Sequence, residues 1–452
     1  LIDLETIVRR DLARLGELGA KHILVACSGG PDSVALLDLL HCLAGTGVFR
    51  LSAASLDHGL RPEAGAEVAL VGRLAGERGL DFYPGKADPA SFPVPGQAGA
   101  RAARLEFLER TRVKAGADLI ALGHTADDQV ETVLMNLIRG SGLTGLSGMA
   151  WRSGRLIRPL LGAERPAVMA YLARRSLAFV SDPSNRDPAY LRVRVRERFL
   201  PLLEGENPAI RRTLARLADA LGQEDRLLES LAQARLESLS REMEGALSLD
   251  RPGLAALGPA LGRRVVRAAL GRVKGSLRRI GRDHLELAWS LAEGPGGRAD
   301  LPGGMMVLAS GLEMIVAGAS APALAPLEPL TVGSPGEYRL STGQTLLVER
   351  LIPPLSVDPD PFSALLDEEA FVWPLLVRPP RPGDRISPLG MSGTKKLSDL
   401  MIDRKIPRPF RPRVAVVESR GGVLWVAGAA LSREAGLTGR SRSALRLMIK
   451  PK

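Results

Sequence analysis

The chain has 452 residues, 61 Lys and Arg against 50 Asp and Glu for a formal net charge of +11, and 45% apolar residues. That length predicts two to four domains, each with enough apolar content for its own core, and the basic balance points to an anionic partner. No continuous apolar run reaches the roughly 20 residues of a membrane span, so a bundle of membrane helices is excluded, and a soluble cytoplasmic protein with no membrane partner is expected. Two cysteines, Cys27 and Cys42, are spaced for neither a zinc pair nor a redox motif and read as small packing residues.

In chain order, the first twenty residues read as an amphipathic helix rather than a signal peptide. From Ala20 to about Met149 short apolar runs alternate with helical stretches. "HILVACS" leads to a helix ending near Leu43, "LSAASLDHG" to a helix from Glu63 to Gly79, "LDFYPGKAD" to one from Gly99 to Lys114, and "ADLIALGH" to one from Asp127 to Arg139. Such alternation predicts βαβ units in an α/β fold with a doubly wound parallel sheet. Ligands of these sheets bind outside the carboxyl ends of the strands, where "CSGG", "LDHG" and "LGHT" all fall.

The first of those loops, "SGGPDS", lacks the lysine and spacing of a Walker A loop. Gly29 and Gly30 let backbone amides approach an anion, Pro31 suits a first helical turn, and the helix that follows aims its positive end at the ligand. Ser28 and Ser33 add hydroxyls, and Asp32 can hold a divalent cation. A plain strand-to-helix turn uses the same residue types. Asp57 and His58 end the second strand, where they could meet nucleotide or metal, and a hydrogen-bonded loop histidine is the alternative for His58.

"GHTADDQVET" sets His124 at a strand end and Asp127 and Asp128 at a helix start, with Glu131 near the same helical face. An N-cap with a favourable dipole explains one aspartate well and the second less easily. Carboxylates gathered beside an anionic ligand require a metal or an ammonium group to neutralise them. Arg101 and Arg104, three apart on a helix, suit phosphate contacts or an ordinary solvated face.

Beyond "DPSNRDPAYLRVRVRERFLPLLE", Asn207 reads as an N-cap with Pro208 at the first helical position. Leu214, Leu217, Leu221, Leu228 and Leu231 then recur at helical spacing, predicting a mainly helical region to about Leu291. "AGASAPALAPLEPL" reads as a linker, and the strands and hairpin turns after it predict a small β-rich α+β domain. Two basic stretches stand out. Arg378 to Arg413 holds ten Lys or Arg against three Asp. A charge run is usually a solvated face, but its prolines and apolar residues argue for a structured surface that suits RNA phosphate contacts led by Lys395 and Lys396, then Arg378, Arg381 and Arg385. Arg192, Arg194 and Arg196 would share a face in a strand and spread around a helix.

"SGGPDS" after an apolar strand resembles the pyrophosphate loop (PP-loop) of the ATP pyrophosphatase superfamily. "SLDHGLRPEA", "ARAARLEFL", "GHTADDQVETVLMNLIRGSGLTGLSGM", "DPSNRDPAYLR" and "RPGDRISPLGMSGTKKLSDLMIDRKIPRPFRPRVAVVES" are together similar to successive motifs of the tRNA(Ile)-lysidine synthetase family, over nearly the whole chain. The resemblance implies an enzyme that uses ATP and Mg²⁺ to adenylate the C2 oxygen of the wobble cytidine in isoleucine tRNA with a CAU anticodon. Free L-lysine then displaces AMP. It implies an ATP site of Ser28, Gly29, Gly30, Pro31, Asp32, Ser33, Asp57 and His58, and catalytic residues Asp32, Asp127, Asp128, His124, Arg101 and Arg104. Asp32 and Asp128 would hold the metal, and Arg192, Arg194, Arg196, Arg378, Arg381, Arg385, Lys395 and Lys396 the tRNA. The lysine amine, with an unperturbed pKa of about 10.4, must lose a proton before it attacks, and spacing does not say which carboxylate takes it.

The expected domains are a catalytic domain at 1–206, a helical tRNA-recognition domain at 207–316, a linker at 317–330 and a basic tRNA-binding domain at 331–452, with a homodimer left open. This chain has Val193 where the family pattern carries an asparagine, so no hydrogen bond of that asparagine carries over. A related thiolase would need catalytic cysteines or an iron-sulfur cluster, which Cys27 and Cys42 do not supply. A tRNA-binding protein without catalysis is opposed by the intact Ser28, Asp32, Asp127 and Asp128.

Overall fold

Short apolar runs that alternate sides at every residue become the strands of the first half of the chain. In the computed structural model, residues 3–15, 21–45, 49–59, 64–92, 96–180, 187–319, 324–352, 360–420, 422–438 and 441–450 are described. The chain divides into two units, Leu1–Arg226 and Leu227–Lys452. Residues 60–63 of "LDHGLRPEA", 181–186 of "DPSNRDPAYLR" and 320–323 of the expected linker lie outside the described residues.

In the first unit, β1 (Lys21–Ala26), β2 (Phe49–Asp57), β3 (Asp81–Lys86), β4 (Leu119–Leu122), β5 (Arg152–Ser153) and β6 (Leu156–Ile157) form one sheet. Its order is β3-β2-β1-β4-β6-β5. Every pairing is parallel except that of the edge strand β5 with β6. The strand order reverses between β1 and β4, the switch point at which ligands of such sheets bind.

The helices are α1 (Leu4–Arg14), α2 (Pro31–Ala44), α3 (Ala64–Glu77), α4 (Gln97–Ala115), α5 (Ala126–Ile138), α6 (Leu143–Leu146), α7 (Arg165–Arg174), α8 (Leu191–Arg194), α9 (Leu200–Glu206) and α10 (Ile210–Leu239). Residue alternation along the strands assigns them to faces. Ile23, Val25, Leu119 and Ala121 share a core with α1, α2, α3 and α7, while Leu24, Ile120 and Leu122 share another with Leu108 of α4. Burial on both faces is why these strands read as near-continuous apolar runs.

One π-helical turn, Val195–Phe199, joins α8 to α9. The basic stretch is therefore helical, and the strand alternative for it falls away. Asn207 Oδ1 accepts from the Ala209 N–H at 3.0 Å, a capping contact, although the regular helix starts at Ile210 rather than Pro208.

In the second unit the helices α11 (Arg251–Ala255), α12 (Gly258–Lys274) and α13 (Arg282–Glu293) accompany a five-stranded antiparallel sheet. Its strands are β7 (Ser240–Met243), β8 (Ala246–Asp250), β9 (Gly297–Leu301), β10 (Met305–Ser310) and β11 (Glu313–Ala317), in the order β7-β8-β11-β10-β9. Leu247, Leu249, Val307, Met314 and Val316 share a core with the helices. Ala246, Leu308, Ile315 and Ala317 point the other way, into a core with Leu397, Leu400 and Phe410. The rest of the unit carries antiparallel five-stranded and four-stranded sheets. Among the described residues, no helix is long and apolar enough to cross a membrane.

Candidate active site

A cleft of about 1940 Å³ opens at the carboxyl ends of β1, β2 and β4 and is walled by α5, α7, the α8 run and the first half of α10. Ser28, Gly30, Pro31, Asp32, Ser33, His58, Arg104, His124, Asp127 and Asp128 all line it. Gly29, Asp57 and Arg101 do not. Gly29 takes φ +80° within the loop, and Asp57 Oδ1 accepts from the Gly59 N–H at 2.8 Å, closing a turn. Arg101 is exposed.

Gly30 is the N-cap of α2, with Pro31 in its first turn. Ser33 spends its hydroxyl inside the loop: it accepts from the Ser28 N–H at 3.1 Å and donates to the Gly30 carbonyl at 2.9 Å. Two loops meet tightly here. A Cβ on Gly123 would lie 3.1 Å from the Asp32 carbonyl carbon and the Ser33 nitrogen, backbone atoms that cannot swing aside. Glycine at 123 thus lets the end of β4 close on the first turn of α2.

Neither aspartate of "ADDQ" is the N-cap of α5. Thr125 is, and Asp128 at the third position completes a capping box by accepting from the Thr125 N–H at 2.8 Å. The other Asp128 oxygen accepts from Arg192 Nη2 at 2.7 Å. Glu131, almost wholly buried, takes Arg192 Nε and Arg196 Nε, both at 2.6 Å. Asp127 accepts from the Arg165 backbone N–H at 2.7 Å and from Arg211 Nη1 at 3.0 Å, and Arg165 Nη1 lies 3.6 Å from Asp32.

Four carboxylates therefore meet four guanidiniums, so the neutralising cations expected from a metal or an ammonium are in large part arginines. Arg165 and Arg211 carried no motif by which the sequence could have announced them. Arg192 and Arg196 lie one helical turn apart on one face and face the carboxylates, so they form no free basic patch for RNA. Arg194 turns away and donates to the carbonyls of Pro188 and Ala189. Val193 is buried.

Asp32 is the least satisfied acid of the group. Its Oδ1 is buried with no hydrogen-bond partner. Burial, with help from Asp128 and Asp127, pushes its pKa up to about 6. Across the cleft His124 is driven down to about 3 by burial and by the charges of Arg158, Arg104, Arg192 and Arg101, so its imidazole is neutral. His58 Nδ1 and His124 Nδ1 are both buried without a partner. Among the described residues, no group of three or more His, Cys, Asp or Glu side chains could hold a metal ion by itself.

The two cysteines part company. Cys27 is buried beneath the loop, with its thiol pushed up by burial, whereas Cys42 is exposed and is no packing residue.

In the second unit, Arg378 is 2% exposed and binds Asp384 and Glu418. It is a buried structural arginine and cannot touch RNA, contrary to expectation. Arg381 and Arg385 are exposed, with Arg385 Nε bonded to Thr394 Oγ1 at 3.0 Å. Lys395 pairs with Asp403, while Lys396 is exposed.

A sequence profile described as a PP-loop domain matches residues 4–203, and one described as a TilS substrate C-terminal domain matches residues 375–447. A tRNA(Ile)-lysidine synthase of Geobacter sulfurreducens is 37% identical over 442 residues, covering 93% of this chain and 92% of the relative. One from Symbiobacterium thermophilum is 36% identical over 479 residues, covering 99% and 96%. One from Dehalococcoides mccartyi is 33% identical over 450 residues, covering 94% of each.

Proposed function

The chain belongs to the tRNA(Ile)-lysidine synthase family, and from that premise we propose that it ligates free L-lysine to C2 of the wobble cytidine in isoleucine tRNA with a CAU anticodon. ATP is converted to AMP and pyrophosphate through an adenylated cytidine, and the product reads AUA instead of AUG and accepts isoleucine instead of methionine. The observation that carries this reading is the cleft at the β1/β4 switch point, where a glycine-rich loop opening α2 faces a neutral histidine and a cluster of acids. Adenylation is required because the C2 oxygen is a poor leaving group, and transfer to phosphorus turns it into a good one.

In this reading the backbone of Ser28–Ser33 and the start of α2 hold the pyrophosphate portion that departs, with stabilisation where charge develops. The orphaned Oδ1 of Asp32, beside the acids that raise its pKa, fits a divalent cation. Asp32, with lone pairs remaining on Asp128, would hold Mg²⁺, which supplies neutralisation of the departing pyrophosphate; a magnesium site built on one or two carboxylates plus phosphates needs no three-residue cage. Arg104 and His124 line the cleft as donors to a phosphate. A carboxylate of the Asp127, Asp128 and Glu131 group receives the lysine ammonium and takes its proton. Glu131 is the least available of the three, because both its oxygens already hold arginines.

For the tRNA, Lys396, Arg385, Arg381 and Lys395 remain as phosphate contacts after the loss of Arg378. We keep the division into 1–206, 207–316, 317–330 and 331–452 as catalytic, tRNA-recognition, linking and terminal parts, the second of which is not purely helical but carries the β7–β11 sheet beside its helices. The decisive experiment is mass spectrometry of an isoleucine tRNA transcript incubated with the protein, ATP, Mg²⁺ and lysine. The expected result is a lysine adduct on the wobble cytidine that depends on all three small reactants. No adduct with folded protein and intact tRNA would sink the proposal.

A further inference from the structure

Arg158 is 8% exposed, a guanidinium taken almost entirely out of water. It makes no ion pair with a carboxylate among the described residues. Its Nη1 donates to the Ala150 carbonyl at 2.6 Å, and its Nε is buried with no partner. A buried cation without a counter-charge is unfavourable, and the usual remedies are a paired carboxylate or a bound anion.

Its position narrows the choice. Ile120 pairs with Leu156 and Ala121 with Ile157. Continuing that register sets Arg158 beside Leu122, at the carboxyl end of the sheet and one strand away from Gly123 and His124. Arg104, reaching in from α4, is in the same state: its Nε is buried without a partner, and it too has no carboxylate among the described residues. His124, which follows β4 with its Nδ1 orphaned, feels the charges of both. Three unsatisfied polar atoms from three elements thus gather where positive charge is in surplus, opposite an acid cluster whose charge is balanced.

We propose that Arg158, acting through His124 and together with Arg104, completes a phosphate subsite on the β4–β6 side of the cleft, separate from the glycine-rich loop. Arg104 and His124 line the cleft and Arg158 does not, so Arg158 is a positioning residue. Arg158 bears on His124 through its charge, the largest of those that hold the ring neutral, and a neutral imidazole keeps one N–H that can donate to a phosphate. The remaining charges that bear on His124 come from Arg101, Arg104 and Arg192, all cationic, which also keep the ring neutral.

The phosphate has two sources, the α-phosphate of the nucleotide or the RNA backbone beside the target base. This inference rests on the cleft being a nucleotide site, but its test needs neither lysine nor turnover. A failure of ligation with the binding results intact would therefore remove only the proposed function.

Calorimetry on the full chain compares AMP, adenosine and an anticodon stem-loop RNA. Arg158→Gln should shrink the preference for AMP over adenosine by on the order of tenfold to a hundredfold, with adenosine affinity unchanged, and Arg158→Lys should restore most of it. A loss confined to the stem-loop assigns the subsite to the RNA backbone. Unchanged affinity for both AMP and stem-loop overturns the proposal. Should Arg158→Gln fail to fold, ¹⁵N spectra of His124 in the unaltered protein decide: its ring resonances should move with AMP or stem-loop and not with adenosine, and resonances unmoved by either phosphate overturn it.

Discussion

The two sides of the cleft hold charge in opposite ways. Around α5, Asp127, Asp128 and Glu131 are each bonded to arginines at 3.0 Å or less. On the β4–β6 side, Arg104, His124 and Arg158 each keep a buried polar atom with no partner, and so does Asp32 at the start of α2. Satisfied charges fix a frame, since breaking them leaves a buried ion behind, whereas unsatisfied ones gain only when a ligand arrives. The difference separates residues that position from residues that bind, although both kinds are arginines and acids in one pocket.

Two substitutions set the halves against each other. Asp32→Asn removes an unsatisfied acid, so pyrophosphate release should fall by about a thousandfold or more, the scale of losing a preorganised charge at a transition state, while tRNA affinity survives. Because burial already raises the pKa of this carboxyl, the variant should melt no lower than the parent. Normal pyrophosphate release in Asp32→Asn would remove Asp32 from the chemistry. Glu131→Gln breaks a satisfied group and leaves Arg192 and Arg196 facing an amide. Unfolding in urea should show a loss of about 3 kcal/mol, at the low end for a buried pair because both arginines are partly solvated. Unchanged stability would mean that the cluster is not a frame.

The same contrast recurs in the second unit, where a count of charges misled. The stretch from Arg378 to Arg413 has a large positive excess in sequence, but Glu418 and Glu313, outside it, neutralise Arg378 and Arg413. Arg378→Met should therefore lower stability and leave the salt dependence of tRNA binding as it was. Lys395→Glu with Lys396→Glu should weaken tRNA about tenfold at low salt and reduce the logarithmic salt slope by between about 1 and 2. The lower figure applies if Asp403 already neutralises Lys395. An unchanged slope in the lysine variant would take this surface off the RNA.

What was legible in sequence was what periodicity and local chemistry encode. The parallel sheet, its order of strands and helices, and the loop at Ser28–Ser33 follow from alternation and glycine placement. The sheet of β7–β11 escaped because "ALSLD" and "EMIVA" are buried on both faces and sit among helices, so no polar side marks the period. Pairings across the chain were equally invisible. Nothing near Arg165 or Arg211 says that Asp127 lies beside them, and "LIRPLL" gives no sign that Arg158 follows a short strand paired with β4. Long-range charge balance is a property of the fold, not of a window.

A smaller effect tests whether the frame extends behind the glycine-rich loop. Asp38, on the buried side of α2, accepts from Tyr171 Oη at 2.7 Å, from Arg78 Nη2 at 2.7 Å and from Arg175 Nε at 3.0 Å. Burial alone would raise its pKa, but the hydrogen bonds from Tyr171, Arg78 and Arg175 outweigh that and hold it below the ordinary carboxylate value. A carboxyl with a depressed folded pKa stabilises the protein above its unfolded value of about 3.9, and that contribution disappears as pH falls through the lower folded value. The bonds tie α2 to α7 and to Arg78, the residue just after α3, and α7 begins with the Arg165 that reaches Asp32. Tyr171→Phe should thus cost about 1 kcal/mol at neutral pH, and its deficit should narrow below about pH 4, as the parent loses the same contribution. Melting both proteins from pH 7 down to pH 3 measures this directly. A deficit constant over that range would show that Asp38 is not the acid through which α7 is held.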